Sequence, residues 1–345
     1  MPASKKAAAS PSLGGKAMLY MCLLAFQFGL QPTLTRQYTP QGICRSTVIL
    51  VQEVLKFFLA FTMLNISGTR ASALEGWNIG TWLTVAVVPA ALYAIQNVAA
   101  LTAYQTLDAL TFNVLNQTKT LSAALCCYLV MGRKQSQMQV ISLFVLLLAA
   151  LIMERMVSLD AVFVLINGQN NIETAATTDE RGTGWDNKHW THGVAPIMLA
   201  SFISGLTGAL TQKNLQSLGG TGRNPYLFSM ELCAASVIIL SCSMLVSPDG
   251  QRVAADGFWH GWTPTTWIPI FTNSMGGIIV GLVTKYAGSV RKGFALIFGM
   301  LLSGIVQALL QDVGVSKEQV VGGCLAALSL WMHATHPYIA KEKAE

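Results

Sequence analysis

Several polar side chains share one helical face within an apolar stretch around residue 115. Asn113, Asn116, Gln117 and Thr120 follow the i, i+3, i+4, i+7 spacing that places side chains on one side of an α-helix. Lys119 lies about 60° around the helix from Asn116. It is also about ten residues from either end of the stretch, which is far for its ammonium group to reach an interface. A charge at the centre of a bilayer costs about 2.5 kcal/mol or more, so the pattern predicts a ligand cavity beside Lys119.

A second group of polar residues comes one segment earlier in the chain. Tyr93, Gln96 and Asn97 have the i, i+3, i+4 spacing of one helical face. An aromatic ring beside two amides suits a planar ligand that forms hydrogen bonds. The alternative is hydrogen bonding between helices, worth about 0.6 kcal/mol per bond. The residues alone leave both interpretations open.

A second candidate cation, Lys292, lies next to Arg291 near the start of a later apolar segment. Both side chains could serve as anchors at the cytosolic interface. Lys292 comes close to Lys119, however, if the two halves of the chain pack around a central cavity. Two lysines match the charge of a phosphate group, and the amides and aromatic rings could bind a base and a sugar. The pattern therefore predicts a phosphorylated ligand with a planar ring.

Acidic residues also occur inside apolar segments. Glu53 and Lys56 lie three residues apart on one helical face and are expected to pair with each other. We interpret Glu53, Lys56 and Glu231 as candidates for an intramembrane ion pair or a gate. The segment around Glu231 also carries further candidates for the ligand site, namely Asn224, Phe228 and Ser229.

The composition places these residues in a membrane protein. Of 345 residues, 52% are hydrophobic and 11% are charged, whereas soluble domains have roughly 25% charged residues. The mean hydropathy is +0.50. These values exclude a soluble globular protein, a disordered chain, a coiled coil and a secreted disulfide scaffold. The net charge of +6 concerns orientation in the lipid bilayer rather than binding to nucleic acid.

Ten segments are long enough to cross a bilayer core of roughly 30 Å. They are residues 17–35, 44–65, 79–104, 109–131, 137–157, 193–216, 224–247, 264–286, 290–311 and 316–336. Pro89 predicts a kink in the third segment. The fold class is therefore an all-α polytopic membrane protein with ten transmembrane helices.

Lysine and arginine outnumber the acids in one set of loops, and the acids outnumber them in the other. The positive-inside rule then predicts that both termini are cytosolic. The predicted organisation is a cytosolic tail at 1–16, five helices in 17–157, a lumenal linker at 158–192, five helices in 193–336 and a cytosolic tail at 337–345.

The two sets of five helices show a weak internal similarity. Arg45 precedes Glu53 by eight residues in the second segment, and Arg223 precedes Glu231 by eight residues in the seventh. Five helices is an odd number, so two such repeats have inverted topology, an arrangement found in transporters. A chance match is the alternative.

The sequence contains no motif that points to catalysis. The Walker A, HExxH and GxSxG patterns do not occur, so we expect a protein that is not an enzyme and has no cofactor. The pairs His189/His192 and His333/His336 lie in a loop and at a chain end, where we expect solvated side chains. We predict no metal site.

Specific motifs resemble those of the nucleotide-sugar transporters. They are Tyr93-Ala-Ile-Gln96-Asn97, Leu107-Asp108-Ala109 with Asn113-Val114 and Gln117-Thr118-Lys119, and Lys285-Tyr286 with Arg291-Lys292-Gly293-Phe294. The resemblance extends over nearly all ten segments and is to the CMP-sialic acid and UDP-sugar branch, particularly its plant members. It implies two inverted five-helix repeats of the drug/metabolite transporter fold.

The resemblance also implies a function and a site. A nucleotide sugar would enter the Golgi or ER lumen in exchange for a nucleoside monophosphate, with Lys119 and Lys292 binding phosphate. Tyr93, Gln96, Asn97, Asn113 and Gln117 would line the cavity, and Asn224 would contact the base or ribose. Phe112, Asn116 and Phe228 stand where the animal sialic acid carriers have tyrosines, which leaves the base and the sugar open.

We expect exchange of CMP-sialic acid for CMP by alternating access. The first alternative is exchange of UDP-N-acetylhexosamine or UDP-galactose for UMP. Export of small metabolites or drugs by the same fold, and a scaffold that transports nothing, are less favoured. Lys341 and Lys343 resemble a dilysine signal for return from the Golgi to the ER. The sequence leaves two oligomeric states open, a monomer and a homodimer.

Overall fold

The structure, a computed structural model, describes residues 14–107, 112, 115–153, 190–216, 222–310 and 316–338. All regular secondary structure in these residues is helical. The helices before residue 154 are α1 (Gly15–Tyr38), α2 (Arg45–Ile66), α3 (Arg70–Leu74), α4 (Ile79–Trp82), α5 (Val88–Thr106), α6 (Lys119–Met131) and α7 (Gln137–Met153). Those after residue 189 are α8 (Ala195–Leu215), α9 (Pro225–Val246), α10 (Pro248–Asp256), α11 (Trp267–Tyr286), α12 (Ser289–Leu310) and α13 (Lys317–Thr335).

Seven of the described helical segments are long and apolar enough to cross a membrane. They are Gly15–Tyr38, Arg45–Ile66, Ile79–Ala103, Trp190–Leu215, Pro225–Val246, Pro264–Tyr286 and Ser289–Leu310. The other three of the ten predicted spans correspond to α6, α7 and α13. The first two are short, at 13 and 17 residues, and α13 begins with the charged residues Lys317 and Glu318. The structure therefore confirms an all-helical membrane protein, whereas ten spans remain a prediction.

Most close helix packing joins the two halves of the chain. The main pairs across the halves are α1 with α11 and α12, α2 with α9 and α11, α5 with α8, α6 with α8, and α7 with α13. A buried core lies where α1, α6, α7, α8, α11, α12 and α13 meet, and Phe294, Leu24 and Leu146 are almost inaccessible within it. Neither half forms a separate core in the described residues.

A widened turn, rather than a simple kink, precedes Pro89. Residues Leu83–Val87 form a π-helical turn that connects α4 to α5, and Pro89 stands in the first turn of α5. Proline has no N–H to bond the carbonyl four residues earlier, which here belongs to Val85. Asn214 on α8 donates its Nδ2–H to that carbonyl at 3.4 Å. The wider turn and the amide together accommodate the proline.

The fourth predicted helix is interrupted just before Lys119. Residues 115–117 are helical, Thr118 forms a turn, and α6 begins at Lys119. The carbonyl of Leu115 accepts hydrogen bonds from the Thr118 N–H at 3.2 Å and the Thr118 hydroxyl at 2.6 Å. Our expectation that Lys119 lies in the middle of an unbroken helix is therefore wrong: it is the first residue of α6.

The predicted linker at 158–192 lies mostly outside the described residues. Its last part differs from the prediction, because a π-helical turn over Trp190–Val194 leads directly into α8. The tails at 1–13 and 339–345, with Lys341 and Lys343, also lie outside the described residues.

Candidate functional site

The structure brings Lys119 and Lys292 together. Gly293 on α12 packs against Thr120 on α6, and a Cβ atom on Gly293 would lie 2.9 Å from Thr120 Cγ2. The neighbouring lysines are close enough for their charges to repel each other. Among the residues that the structure describes, neither lysine nitrogen has a hydrogen-bond acceptor or a carboxylate partner. Two adjacent, unpaired ammonium groups can bind an anion with two or more charges.

Unpaired polar atoms also lie between α5 and α8. Tyr93 on α5 is next to Thr211 on α8. The Thr211 hydroxyl oxygen and the Gln96 Oε1 are both buried without a hydrogen-bond partner. Buried polar groups are almost always paired in folded proteins, so a ligand or water could satisfy these two atoms. Asn97, the third residue of the predicted face, is exposed.

The segment that leads to Lys119 contributes four further predicted residues. Gln117 is buried and Asn116 is half-buried. Phe112 packs against the apolar cluster that α5 and α8 form around Ala103 and Ile197. Asn113 lies outside the described residues.

Three predicted ligand contacts at the start of α9 are already hydrogen-bonded or buried within the protein. Asn224 caps α9, since its Oδ1 accepts from the Tyr226 N–H at 2.9 Å, and its Nδ2 donates to the Thr69 hydroxyl at 2.8 Å. Phe228 is 2% exposed. The Ser229 hydroxyl donates to the Pro225 carbonyl at 2.8 Å. Because these side chains are either hydrogen-bonded within the protein or buried, the proposed site does not include them.

Glu231 is the buried centre of a polar cluster that includes Arg223, Trp77 and Trp82. Arg223 Nε donates to Glu231 Oε2 at 2.6 Å, and Arg223 Nη2 donates to Glu231 Oε1. Trp77 Nε1 donates to the same Oε1 at 2.6 Å, and Trp82 Nε1 donates to the backbone carbonyl of Glu231 at 3.0 Å. We call these four residues the Glu231 cluster. It joins the start of α9 to the segment between α3 and α5.

Glu53 pairs with Lys56 rather than with Arg45. Lys56 Nζ lies 2.5 Å from Glu53 Oε1, and each side chain is 12% exposed. Glu53 Oε2 is buried without a partner, and the Cys233 thiol lies beside the pair. The aliphatic stem of Lys56 packs against Gly277 on α11. The equal spacing of Arg45/Glu53 and Arg223/Glu231 therefore does not produce equivalent ion pairs.

The structure also identifies residues that the sequence did not single out. Trp77 and Trp82 lie at the beginning of an apolar segment. Tryptophans are common there because their side chains favour the membrane–water interface. Thr211 lies in an apolar helix whose other threonine, Thr207, bonds to its own backbone. His333 corrects a prediction, because it is 4% exposed rather than solvated.

Comparison with known proteins identifies the family. The sequence model of the nucleotide-sugar transporters matches residues 13–334. The chain belongs to the nucleotide-sugar transporter family. It is similar to the UDP-N-acetylglucosamine transporter ROCK1 of Arabidopsis thaliana, with 32% identity over 99% of both chains. A transporter of this family is a multi-pass membrane protein, in agreement with the helices described above.

Two further relatives of this nucleotide-sugar transporter share less of its sequence. The UDP-N-acetylglucosamine transporter of Rattus norvegicus is 26% identical over 72% of this chain and 70% of its own length. The UDP-galactose transporter of Schizosaccharomyces pombe is 24% identical over 86% and 79%. A solved crystal structure with 11% identity has a TM-score of 0.63 and covers 92% of this chain and 96% of that one, which concerns the fold alone.

Proposed function

We propose that this protein exchanges a cytosolic UDP-sugar, with UDP-N-acetylhexosamine as the first candidate, for lumenal UMP by alternating access. The observation that carries the proposal is the 32% identity, over 99% of both chains, to a plant UDP-N-acetylglucosamine transporter. The rat and fission yeast relatives are likewise named for UDP-sugars. They favour our alternative, and they do not support CMP-sialic acid.

The lysine pair supports exchange over one-way transport. With no anion bound, Lys119 and Lys292 place two positive charges close enough to repel each other inside the membrane. The conformational change of the empty protein is costly, because no anion compensates the charges of the two lysines. A nucleotide sugar or UMP balances them, so the loaded protein changes conformation faster than the empty one.

The unpaired polar atoms between α5 and α8 support a site for the base and sugar. Gln96 and Thr211 each have a buried oxygen atom without a partner in the protein, and Tyr93 lies next to Thr211. Four other residues remain proposed lining of the same site, namely Asn97, Asn113, Asn116 and Gln117.

The pattern of helix pairs supports ten spans in two inverted repeats, with both termini cytosolic. If α1 is equivalent to α8, α5 to α11 and α6 to α12, each pair has a counterpart. The α5–α8 pair then corresponds to α11–α1, and α6–α8 corresponds to α12–α1. The α2–α9 and α7–α13 pairs correspond to themselves. Such symmetry is expected when two repeats pack about a pseudo-two-fold axis.

We also propose that the Glu231 cluster belongs to the gate on the cytosolic side. Positive-inside orientation puts Arg223 and Trp77 at that side, and their bonds join the first half of the chain to the second. Opening to the cytosol would separate these bonds. The Glu53–Lys56 pair is then the candidate for a fixed contact between α2 and α11.

A thermal-shift panel on the detergent-purified protein tests the substrate class. UMP, CMP, GMP, AMP, UDP-N-acetylglucosamine and CMP-sialic acid are compared at equal concentration. A ligand at 100 times its Kd adds about 2.7 kcal/mol to the free energy of unfolding. We expect stabilisation by UMP and UDP-N-acetylglucosamine. Stabilisation by CMP alone would overturn the uridine assignment, and no response to any nucleotide would overturn the function.

Exchange in liposomes tests the mechanism. Vesicles loaded with UMP should take up labelled UDP-N-acetylglucosamine faster than empty vesicles. Lys119→Gln and Lys292→Gln should each abolish this stimulation, because one remaining lysine cannot balance a phosphate group as two do. Lys213→Gln, which removes an exposed lysine at the end of α8, is the matched control. Normal exchange by Lys119→Gln would contradict the mechanism.

A further inference from the structure

Two glutamines one helical turn apart, Gln212 in the last turn of α8 and Gln216 directly after its end, hold the connection that leads to Lys292. Gln212 is 4% exposed. Its Oε1 accepts a hydrogen bond from the Ser289 N–H, at the first residue of α12, with a length of 2.7 Å. Its Nε2 donates to Gln216 Oε1 at 3.0 Å. Gln216 in turn donates to the carbonyls of Thr284 and Lys285 at 2.9 and 2.6 Å, in the last turn of α11.

The two side chains therefore satisfy both ends of a tight helix–helix connection. The last carbonyls of α11 and the first N–H of α12 have no partner within their own helices. Only Ala287 and Gly288 separate these helices, and Gly288 has a φ of +91°. Ser289 adds a third link to α8, since its hydroxyl donates to the Gly208 carbonyl at 2.6 Å.

Lys292 lies in the first turn of α12, three residues after Ser289. Its N–H bonds to the Gly288 carbonyl at 3.0 Å, so its backbone position is fixed relative to the connection. Any movement of the connection therefore moves the ammonium group as well.

The same helix also holds the segment that carries Lys119. Ser201 on α8 donates its hydroxyl to the Leu115 carbonyl at 3.3 Å, at the interruption before α6. Gly205 allows α8 to approach the backbone at Ser122 and Ala123, where no side chain would fit. The thiol of Cys127 on α6 donates a hydrogen bond to Gln212 Oε1 at 3.5 Å. Gln212 thus contacts both helices that supply a lysine.

We propose that Gln212, with Gln216 behind it, is a positioning residue that sets Lys292 at the right distance from Lys119 for a bound phosphate group. The inference rests on the proposed function, since it concerns the phosphate site of that transporter. Gln212 need not touch the nucleotide. It acts by fixing the start of α12, so its loss should affect ligands that carry phosphate and spare those that do not.

Binding of UMP and of uridine to the purified full-length protein separates these effects. Gln212→Leu, of similar volume but without polar atoms, should raise the half-saturating UMP concentration about tenfold, equivalent to about 1.4 kcal/mol. Its affinity for uridine, which lacks the phosphate, should be unchanged.

The matched control is Gln139→Leu. Gln139 is also a buried glutamine, at 7% exposure, whose Oε1 accepts from a backbone N–H near a helix start, here that of Ser136 at 3.0 Å. Its side chain bonds to Ser136 and to the His333 carbonyl rather than to α6 or α12, which carry the lysines, so its loss should leave UMP affinity unchanged. A double variant gives the decisive comparison, because in a Lys292→Gln background Gln212→Leu should have no further effect.

Three results would overturn the inference: wild-type UMP affinity in Gln212→Leu, equal losses for UMP and uridine, or an additive loss in the Lys292→Gln background. If Gln212→Leu does not fold, Gln216→Leu is expected to show the same selective loss and is judged in the same way. A wild-type protein that does not bind UMP would overturn the proposed function as well. Wild-type binding with unaffected variants would overturn this inference alone.

Discussion

Gly293 lies against Thr120 so closely that α6 and α12 touch beside the two lysines. An added Cβ would meet Thr120 Cγ2 at 2.9 Å and Oγ1 at 3.1 Å. The distance between the helices, and with it the spacing of Lys119 and Lys292, therefore depends on the missing side chain at Gly293.

Gly293→Ala should weaken nucleotide binding by pushing α6 and α12 apart. Overpacking of this kind costs about 1–3 kcal/mol. Adding Thr120→Ala to the same protein removes both close atoms and should restore much of the binding. The measurement is UMP titration by thermal shift. Gly42→Ala, with no atom within 4 Å of the added group, is the control. A double variant no better than Gly293→Ala would show that spacing is not the cause.

Arg223→Met should strongly destabilise the protein. Its partner Glu231 has a side chain only 4% exposed, and a buried charge that loses its partner costs about 3–5 kcal/mol. Adding Glu231→Gln should recover part of this loss because the uncompensated charge disappears. Thermal unfolding without ligand measures both effects. Lys213→Met is the control for removing a cation, and an equal loss of stability there would contradict the explanation.

His333→Leu should raise the stability of the protein. Both ring nitrogens of His333 are buried without hydrogen-bond partners, and the ring lies 5.2 Å from that of Phe294. An unsatisfied buried polar group costs about 1–3 kcal/mol, which an apolar side chain of similar size avoids. The melting temperature should increase by a few degrees. His336→Leu, at an exposed site, should not increase it, and a decrease for His333→Leu would show that water pairs with the ring.

Lys56→Met should destabilise the protein more than the double variant Glu53→Gln/Lys56→Met. The single change leaves Glu53 charged and buried, whereas the double change leaves no net charge behind. Thermal unfolding of both variants is the test. If the single variant were as stable as wild type, the pair would have no role in holding α2 against α11.

The positions of the lysines could be predicted better than their surroundings. Intramembrane charge is rare enough to identify Lys119 and Lys292, and a resemblance to known transporters indicated that they meet. The hydrogen bond to the Leu115 carbonyl at the interruption before Lys119 was not predictable, because its donor, Ser201, is 86 residues away along the chain. For the same reason the sequence suggested Asn224 as a ligand contact, although its amide caps a helix. A polar side chain has the same appearance in a sequence whether it bonds to a ligand or to the protein.

The packing of helices across the two halves has a consequence for synthesis of the chain. Trp77 cannot bond to Glu231 until a further 154 residues of the chain have been synthesised. The ribosome adds about 5–20 residues per second, so the delay is about 8 to 30 seconds. Until synthesis reaches α8 at residue 195, α1, α2 and α5 have none of their main helix partners, since these belong to the second half. The helices of the first half must therefore remain in the membrane as a loose, protected intermediate. A fragment that ends at residue 157 should be degraded unless the second half is synthesised with it.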